Sequence, residues 1–324
     1  MDLKKSGIGK TIALLSVIAV IIFAFFAVLT KFYTPAEPFV DIDFATTAPE
    51  RENTAQNPSD ELRFAVATMW SVESTFTMYQ RLIDRICTDV GLQDSFVLRS
   101  SYGSLRKAIE NGEVDAAFVC TGPYIYALPS GKIKLLVEPL FVDDHQYHSV
   151  IIAPSGSNIE SIKDLEGTVL GLSDPESFTG CMVPYVMFTE SGYDIDTYFE
   201  KVIFTGSHDR TIHAVERGIV SAAAVHSVVL ESAKREDPAL MDRIKVIWTS
   251  ETFGPPPIII AAEMEDSLAD SLREAFINMH NDEDGRMILS SIGIERFLPA
   301  DEKNYDTAIE LYERYKKLGG SNWP

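Results

Sequence analysis

Two twenty-residue stretches of this chain, 101–120 and 207–226, align without a gap at an offset of 106 residues. Eight positions are identical: Ser101/Ser207, Ala108/Ala214, Glu110/Glu216, Gly112/Gly218, Val114/Val220, Ala116/Ala222, Ala117/Ala223 and Val119/Val225. Each stretch has a polar start, apolar residues at helical spacing, a glycine stop and then a run of small apolar residues. Chance likeness between two generic helix–strand units fits that many ungapped identities poorly. A strand that is apolar throughout has to be covered on both faces, as it is in an α/β sheet. A chain that carries this unit twice is expected to build two similar α/β lobes.

The surrounding pattern agrees. LRFAVATM, at 62–69, reads as a strand, and Phe76, Tyr79, Leu82, Ile83, Ile86 and Val90 then recur at helical spacing up to Gly91. A strand at 95–99, a short helix at 105–110 and a strand at 114–119 follow. This alternation predicts a mostly parallel sheet with helical crossovers. Residues 139–152 (PLFVDDHQYHSVII) and 247–257, where WTSETFGPPP breaks regular structure, read as extended crossings between the lobes. Pro255, Pro256 and Pro257 in succession suit neither a helix interior nor a central strand. Two such crossings describe a hinge. Helices expected at 267–280, 284–292 and 303–317 return to the first lobe. The expected division is 61–143 with 255–324 as lobe one and 144–254 as lobe two.

The N-terminus carries a different signal. Lys4, Lys5 and Lys10 precede an apolar run, 12–29, broken only by Ser16. Its length is near the lower limit for a membrane-spanning helix. Basic residues before it predict a cytoplasmic start and an extracytoplasmic remainder. No small-residue cleavage site or lipidation cysteine follows, so 1–33 is expected to be an uncleaved transmembrane signal anchor in the inner membrane, with a cleaved signal peptide as the alternative. Residues 34–60, rich in Pro, Thr, Ala, Asn and acids, read as a flexible tether.

Composition removes several function classes. The net charge is −20 and the folded part has no basic patch, which argues against nucleic acid. The three cysteines, Cys87, Cys120 and Cys181, form no C-x-x-C pair, so no metal site is expected, and buried thiols behaving as small apolar residues are the plain reading. No G-x-S-x-G, H-E-x-x-H or Walker pattern occurs, and Cys181 has no base near it in sequence. Neither catalysis nor a cofactor is expected.

The sharpest candidate site is SDPESFTG, 173–180. It follows a strand expected at 168–172 and precedes a helical pattern through Val183, Val186, Met187 and Phe188 to Gly192, with Pro184 in the first turn. Ser177, Thr179 and Gly180 then sit where free backbone N–H groups and the positive end of a helix dipole converge. Such a terminus binds an anion without a lysine. The same residue types also make an ordinary helix cap. The repeat adds a second indication, because ligands of doubly wound sheets lie at strand C-termini beside helix N-termini. Tyr102 and His208, at matching helix starts, are expected to face a cleft from opposite sides. Cys120 and His226 close the matched strands. His145, His148, His213 and His280 read as structural.

Four motifs together resemble the phosphonate, phosphite and phosphate-binding proteins of ABC transporters, which have the type 2 periplasmic-binding fold. YHSVII (147–152) is similar to the family's Y-x-S-x-I-x strand, SIKDLEG (161–167) to its S-x-x-D-L-x-G turn, DPESFTG (174–180) to its D-P-x-S-T-S-G anion loop, and GSHD (206–209) to its G-S-H-D. The resemblance covers roughly 62–299. It implies a two-lobed α/β solute-binding protein, periplasmic or otherwise extracytoplasmic, that captures a small oxyanion for an inner-membrane ABC permease. Its implied ligands are Tyr102, Tyr147, Ser177, the backbone of Phe178, Thr179 and His208. Cys120, Thr121 and Tyr124, in the loop after the third strand, form a second tier. Phe178 departs from the family's hydroxyl at that position. Ser227 and Pro256 stand near where aminophosphonate-binding members carry carboxylates, so an amine-bearing ligand is disfavoured. The alternative is a sensor partner of a membrane histidine kinase, binding arsenite or another arsenic oxyanion through Cys120.

Overall fold

The structure is a computed structural model and describes residues 60–67 and 69–320. The expected anchor at 1–33, and the tether up to Ser59, lie outside the described residues. No helix among the described residues is long and apolar enough to cross a membrane.

Two sheets organise the chain. The first has the strand order β11-β4-β10-β3-β1-β2 and comprises β1 (Glu61–Val66), β2 (Gln93–Val97), β3 (Ala116–Phe118), β4 (Ile133–Phe141), β10 (Ile258–Ala261) and β11 (Ile294–Pro299). The second has the order β7-β6-β8-β5-β9 and comprises β5 (Ser149–Pro154), β6 (Val169–Leu172), β7 (Lys201–Phe204), β8 (Ala222–His226) and β9 (Ile244–Thr249). Helices α1 (Val72–Val90), α2 (Tyr102–Glu110) and α3 (Thr121–Ala127) accompany the first sheet. Helices α4 (Val183–Glu190), α5 (His208–Glu216) and α6 (Ser227–Glu236) accompany the second, and α7 (Asp266–Asn278), α8 (Glu283–Ser291) and α9 (Asp306–Lys317) end the chain.

The repeat is a topological fact. Its two copies are α2–β3 in one sheet and α5–β8 in the other. β3 lies between β1 and β10, and β8 lies between β6 and β5. In both sheets the neighbour on one side is parallel and on the other antiparallel. The five strands β2-β1-β3-β10-β4 thus correspond one for one to β7-β6-β8-β5-β9, with β11 added at an edge. Every residue of β3 and β8 is buried, as the small apolar run requires of a sheet covered on both faces.

Two expectations are corrected. The sheets are mixed rather than mostly parallel: β1–β2, β1–β3, β6–β7 and β6–β8 are parallel, whereas β10–β3, β10–β4, β11–β4, β5–β8 and β5–β9 are antiparallel. The reason lies in the two crossings. Residues 142–148 and 250–257 carry the chain from one sheet to the other, so the strands beside them enter from the opposite side instead of through a helical crossover. The strand β11 was missed between two correctly anticipated helices, because IERFLP is short and only two of its residues are buried. Local signals otherwise work. Gly91 ends α1 with a φ of 73°, and Gly112 and Gly218 end the repeat helices with φ values of 72° and 66°.

The crossings touch each other, since Tyr147 and Phe253 form an isolated antiparallel bridge. Their neighbours Asp143 and Asp144 hold φ values of 58° and 53°, which turn the chain sharply after β4. One buried apolar cluster runs from Phe64 and Phe118 in the first lobe to Phe178, Ile212 and Val225 in the second. A second cluster, around Leu170, Leu172 and Phe188, fills the far side of the second sheet. The C-terminal helix α9 touches both lobes: Tyr126 and Tyr312 meet edge-on at 4.9 Å, and so do Tyr185 and Tyr315 at 5.1 Å.

Candidate functional site

The site forms where β6 ends. Its next residue, Ser173, is fully buried. Asp174 then makes a tight turn, accepting from Glu176 N at 2.8 Å while its carbonyl accepts from Ser177 N at 2.9 Å. Ser177 caps the following turn through its Oγ, which accepts from Gly180 N at 3.0 Å. That turn, Phe178–Met182, is a single π-helical turn closed by Met182 N donating to the Ser177 carbonyl at 3.0 Å, and α4 begins only afterwards. The regular helix expected directly after the loop is therefore preceded by a wider turn, a form common at functional sites. The turn is pinned from β5, because Ser149 Oγ donates to the Thr179 carbonyl at 2.6 Å.

Gly180 is required by packing. A Cβ at this position would lie 1.9 Å from Ser173 Oγ, 2.8 Å from His208 Cε1 and 2.9 Å from Ser177 Oγ. Those three groups therefore converge on one point above the turn. His208, the first residue of α5, is fully buried. Its Nδ1 accepts from His226 N at 3.2 Å, so the neutral ring carries its proton on Nε2, which lies 3.3 Å from Ser177 Oγ. Burial pulls the His208 pKa down to about 3 and holds that of His226 well below its ordinary value. Both rings are neutral at physiological pH. Because Ser177 Oγ receives both Gly180 N–H and the His208 proton, its own hydroxyl proton is free to donate outward.

The first lobe meets this loop from α2 and α3. Tyr102 N donates to Asp174 Oδ2 at 3.2 Å. Asp174 thereby spends one oxygen on its own turn and the other on the opposite lobe, and burial pushes its pKa up to about 6. Cys120 Sγ lies 3.6 Å from Tyr147 OH. Burial pushes the Cys120 thiol up, against the pull of the Gly122 and Phe178 N–H groups, so it is a thiol and not a thiolate. Burial also holds both phenols, Tyr102 and Tyr147, well above the usual tyrosine value.

Three buried hydroxyls, Tyr102 OH, Ser173 Oγ and Thr179 Oγ1, make no hydrogen bond among the described residues. Buried polar groups are normally satisfied, and each orphan costs about 1–3 kcal/mol. No lysine or arginine stands among the residues that carry these groups. Arg106, on α2, reaches the loop but is committed to Glu176 at 2.9 Å. These hydroxyls are neutral donors without partners among the described residues, and the neighbouring carboxylates of Asp174 and Glu176 are already engaged, which leaves neither free to hold an ammonium.

The structure brings together Tyr102, Tyr147, Ser177, Thr179, Gly180, His208 and Cys120 of the sequence candidates. Phe178 is buried, with its ring 4.9 Å from Phe253 and 6.4 Å from Tyr147, so at this loop position an apolar wall replaces a hydroxyl. Thr121 spends its hydroxyl on the second crossing, donating to the Gly254 carbonyl at 3.0 Å. Tyr124 packs edge-on against Tyr305 at 4.9 Å, and burial pushes its phenol up to about 12. Sequence reasoning placed Ser173 and Asp174 in the candidate loop and His226 at the matched strand end, but assigned none of the three a role. A serine directly after a fully apolar strand was the signal available for Ser173. The links of Asp174 and His226 run through backbone N–H groups, which no side-chain pattern announces. Cys181 is buried and its thiol is pushed up by burial, which removes it as a nucleophile.

Comparison with known proteins bears on the family and the fold. A family model described as "ABC transporter, phosphonate, periplasmic substrate-binding protein" matches residues 64–305. A probable ABC transporter phosphite binding protein of Prochlorococcus marinus is 22% identical over 187 residues, spanning 54% of this chain and 63% of its own length. The phosphonates-binding periplasmic protein of Escherichia coli is 20% identical over 245 residues, spanning 74% of this chain and 72% of its own length. Among solved structures, the binding protein component of an ABC phosphonate transporter from Pseudomonas aeruginosa superposes with a TM-score of 0.75 at 18% identity, covering 80% of this chain and 87% of that one. At that identity the likeness concerns the fold.

Proposed function

Because the chain belongs to the family of periplasmic substrate-binding proteins of phosphonate ABC transporters, we propose that it captures a small phosphorus oxyanion between its lobes and presents it to an ABC permease. The ligand class is phosphonate, phosphite or phosphate. The reading rests above all on the three orphan hydroxyls, Tyr102 OH, Ser173 Oγ and Thr179 Oγ1. They come from both lobes, they are buried, and with the free proton of Ser177 they form a set of donors that an oxyanion would satisfy. The similarity of the chain to transporter binding proteins favours delivery over the sensor reading. The donor set and the thiol form of Cys120 favour a hard oxyanion over arsenite.

The residues proposed to touch the ligand are Tyr102, Tyr147, Ser173, Ser177, Thr179 and His208, with Gly180 leaving room for them. Tethering to the extracytoplasmic face of the inner membrane by residues 12–29 belongs to the same proposal. It rests on the basic start and apolar run of the sequence.

A thermal-shift and calorimetric screen of phosphite, methylphosphonate, phosphate, 2-aminoethylphosphonate, sulfate and arsenite tests the reading. A ligand at a hundred times its Kd stabilises the folded state by about 2.7 kcal/mol. A rise in Tm with one of the first three compounds, and none with the aminophosphonate, is the expected result. A rise with arsenite alone would replace the proposed ligand class.

A further inference from the structure

The opposite lobe holds the loop at several places besides the candidate ligand groups. Arg106, on α2, donates through Nε and Nη2 to both carboxylate oxygens of Glu176, at 2.9–3.2 Å. Its Nη1 reaches Glu110 at 2.9 Å, and its guanidinium lies 5.7 Å from the centre of the Tyr126 ring. Both partners of the interlobe pair are mostly buried, with side-chain exposures of 22% and 18%. The Glu176 backbone is seated just as closely: a Cβ on Gly122 would lie 2.1 Å from its carbonyl oxygen. Next to it, Asp174 accepts from Tyr102 N at the start of α2.

The same contact recurs in mirrored form. The loop after β1 of the first lobe docks on the start of α5 in the second. There His208 N donates to the Met69 carbonyl at 3.0 Å, and Ser71 N donates to Asp209 Oδ2 at 3.0 Å. Since β1 corresponds to β6 and α2 to α5, each lobe places the loop after its first repeat-matched strand on the repeat helix of the other. The two loops differ in one respect. Among the described residues, only the loop of the second lobe combines the ligand donors with a cross-lobe ion pair.

We propose that Arg106 and the tripeptide Asp174-Pro175-Glu176 form a latch that seats the anion loop when the lobes close, which makes Arg106 and Glu176 positioning residues of the binding site. The inference rests on the reading of the loop as an oxyanion site. Its electrostatic logic is direct. With the lobes apart, Glu176 is an unpaired carboxylate one residue from Ser177 and repels an anion. With the lobes together, Arg106 neutralises it in a partly desolvated setting, so an anion and the ion pair favour the same closed state. Gly122 is the stop against which the loop seats, and a side chain there holds the lobes apart while leaving each lobe's own packing untouched.

The test measures calorimetric affinity for methylphosphonate and inorganic phosphate, together with the Tm of the ligand-free protein and small-angle scattering with and without these probes. The proteins are wild type, R106E, E176R, the double charge swap R106E/E176R, and G122A. Each charge reversal is expected to weaken binding roughly tenfold or more, with most of the loss recovered in the swap. G122A is expected to lose binding and ligand-induced compaction while the ligand-free protein still melts in one cooperative transition, at a lowered Tm. Wild-type affinity in the single reversals and in G122A overturns the latch and leaves the oxyanion reading standing. A wild type that binds no phosphorus oxyanion overturns that reading, and the latch falls with it.

Discussion

At the scale of single residues, stability and binding conflict at three positions. Tyr102 OH, Ser173 Oγ and Thr179 Oγ1 are buried without partners among the described residues, so removing one relieves a desolvation cost. Tyr102→Phe, Ser173→Ala and Thr179→Val are each expected to raise the stability of the ligand-free protein by about 1 kcal/mol and to weaken oxyanion binding. Paired melts and titrations check both signs, and a variant that loses stability and keeps affinity would contradict the assignment. The histidines carry a pH dependence. The folded-state pKa of His208, about 3, is below its ordinary value of 6.5, so its stabilisation is present above pH 6.5 and is lost as pH falls toward 3. His226 acts in the same direction. Asp174 opposes them, because its raised value of about 6 gives stabilisation that is full below its ordinary 3.8 and lost as pH rises through 6. With two histidines against one carboxylate, net stability should fall on acidification below pH 6.5, by on the order of 1.4 kcal/mol per pH unit for each proton taken up. In His208→Asn, urea titrations from pH 7 to pH 4 should show a shallower decline than in wild type.

At the scale of elements, identical residues of the repeat do different work. Ser101 caps α2, with Ser101 Oγ accepting from Ser104 N at 3.2 Å in a reciprocal capping box. Ser207, its match, makes no cap on α5; its hydroxyl donates to Asp209, which accepts from the first lobe at Ser71 N. Ser101→Ala should therefore cost about 1 kcal/mol in denaturant unfolding. Ser207→Ala should cost less in unfolding and show its effect in ligand affinity. The π-helical turn makes a sharper case. Gly180→Ala puts a methyl group where Ser173 Oγ, His208 and Ser177 converge, so it should abolish binding and cost about 1–3 kcal/mol as an overpacked site. Retained binding in that variant would mean that the turn relaxes freely and does not define the site.

At the scale of the molecule, two lobes share one continuous apolar cluster and are joined by two crossings that bridge at Tyr147 and Phe253. The C-terminal helix adds a further link, since Arg314 Nε donates to Glu190 on α4 at 2.8 Å and Tyr185 OH donates to the Leu318 carbonyl at 3.0 Å. Calorimetry should accordingly show a single cooperative transition for the described region, shifted as a whole by ligand. Two separable transitions would show that the lobes unfold independently and that the shared cluster couples them only weakly.

Read locally, the sequence by itself determined the repeat and hence two similar lobes, the glycine stops of α1, α2 and α5, the crossings around Asp143 and Pro255, and the loop at 173–180. All of these depend on residues within a few positions of one another, where helical spacing, capping and the fixed φ of proline act. The tertiary structure decided the mixed pairing, the place of β11, the π-helical turn and the contacts that Ser173, Asp174 and His226 make around the candidate site. It also decided the neutral state of both buried histidines and the seating of Glu176 on Arg106. These depend on partners as far apart as Arg106 and Glu176, seventy positions along the chain. Burial and hydrogen bonding at that range follow from how the two lobes meet, and no local pattern in the chain encodes where that meeting occurs.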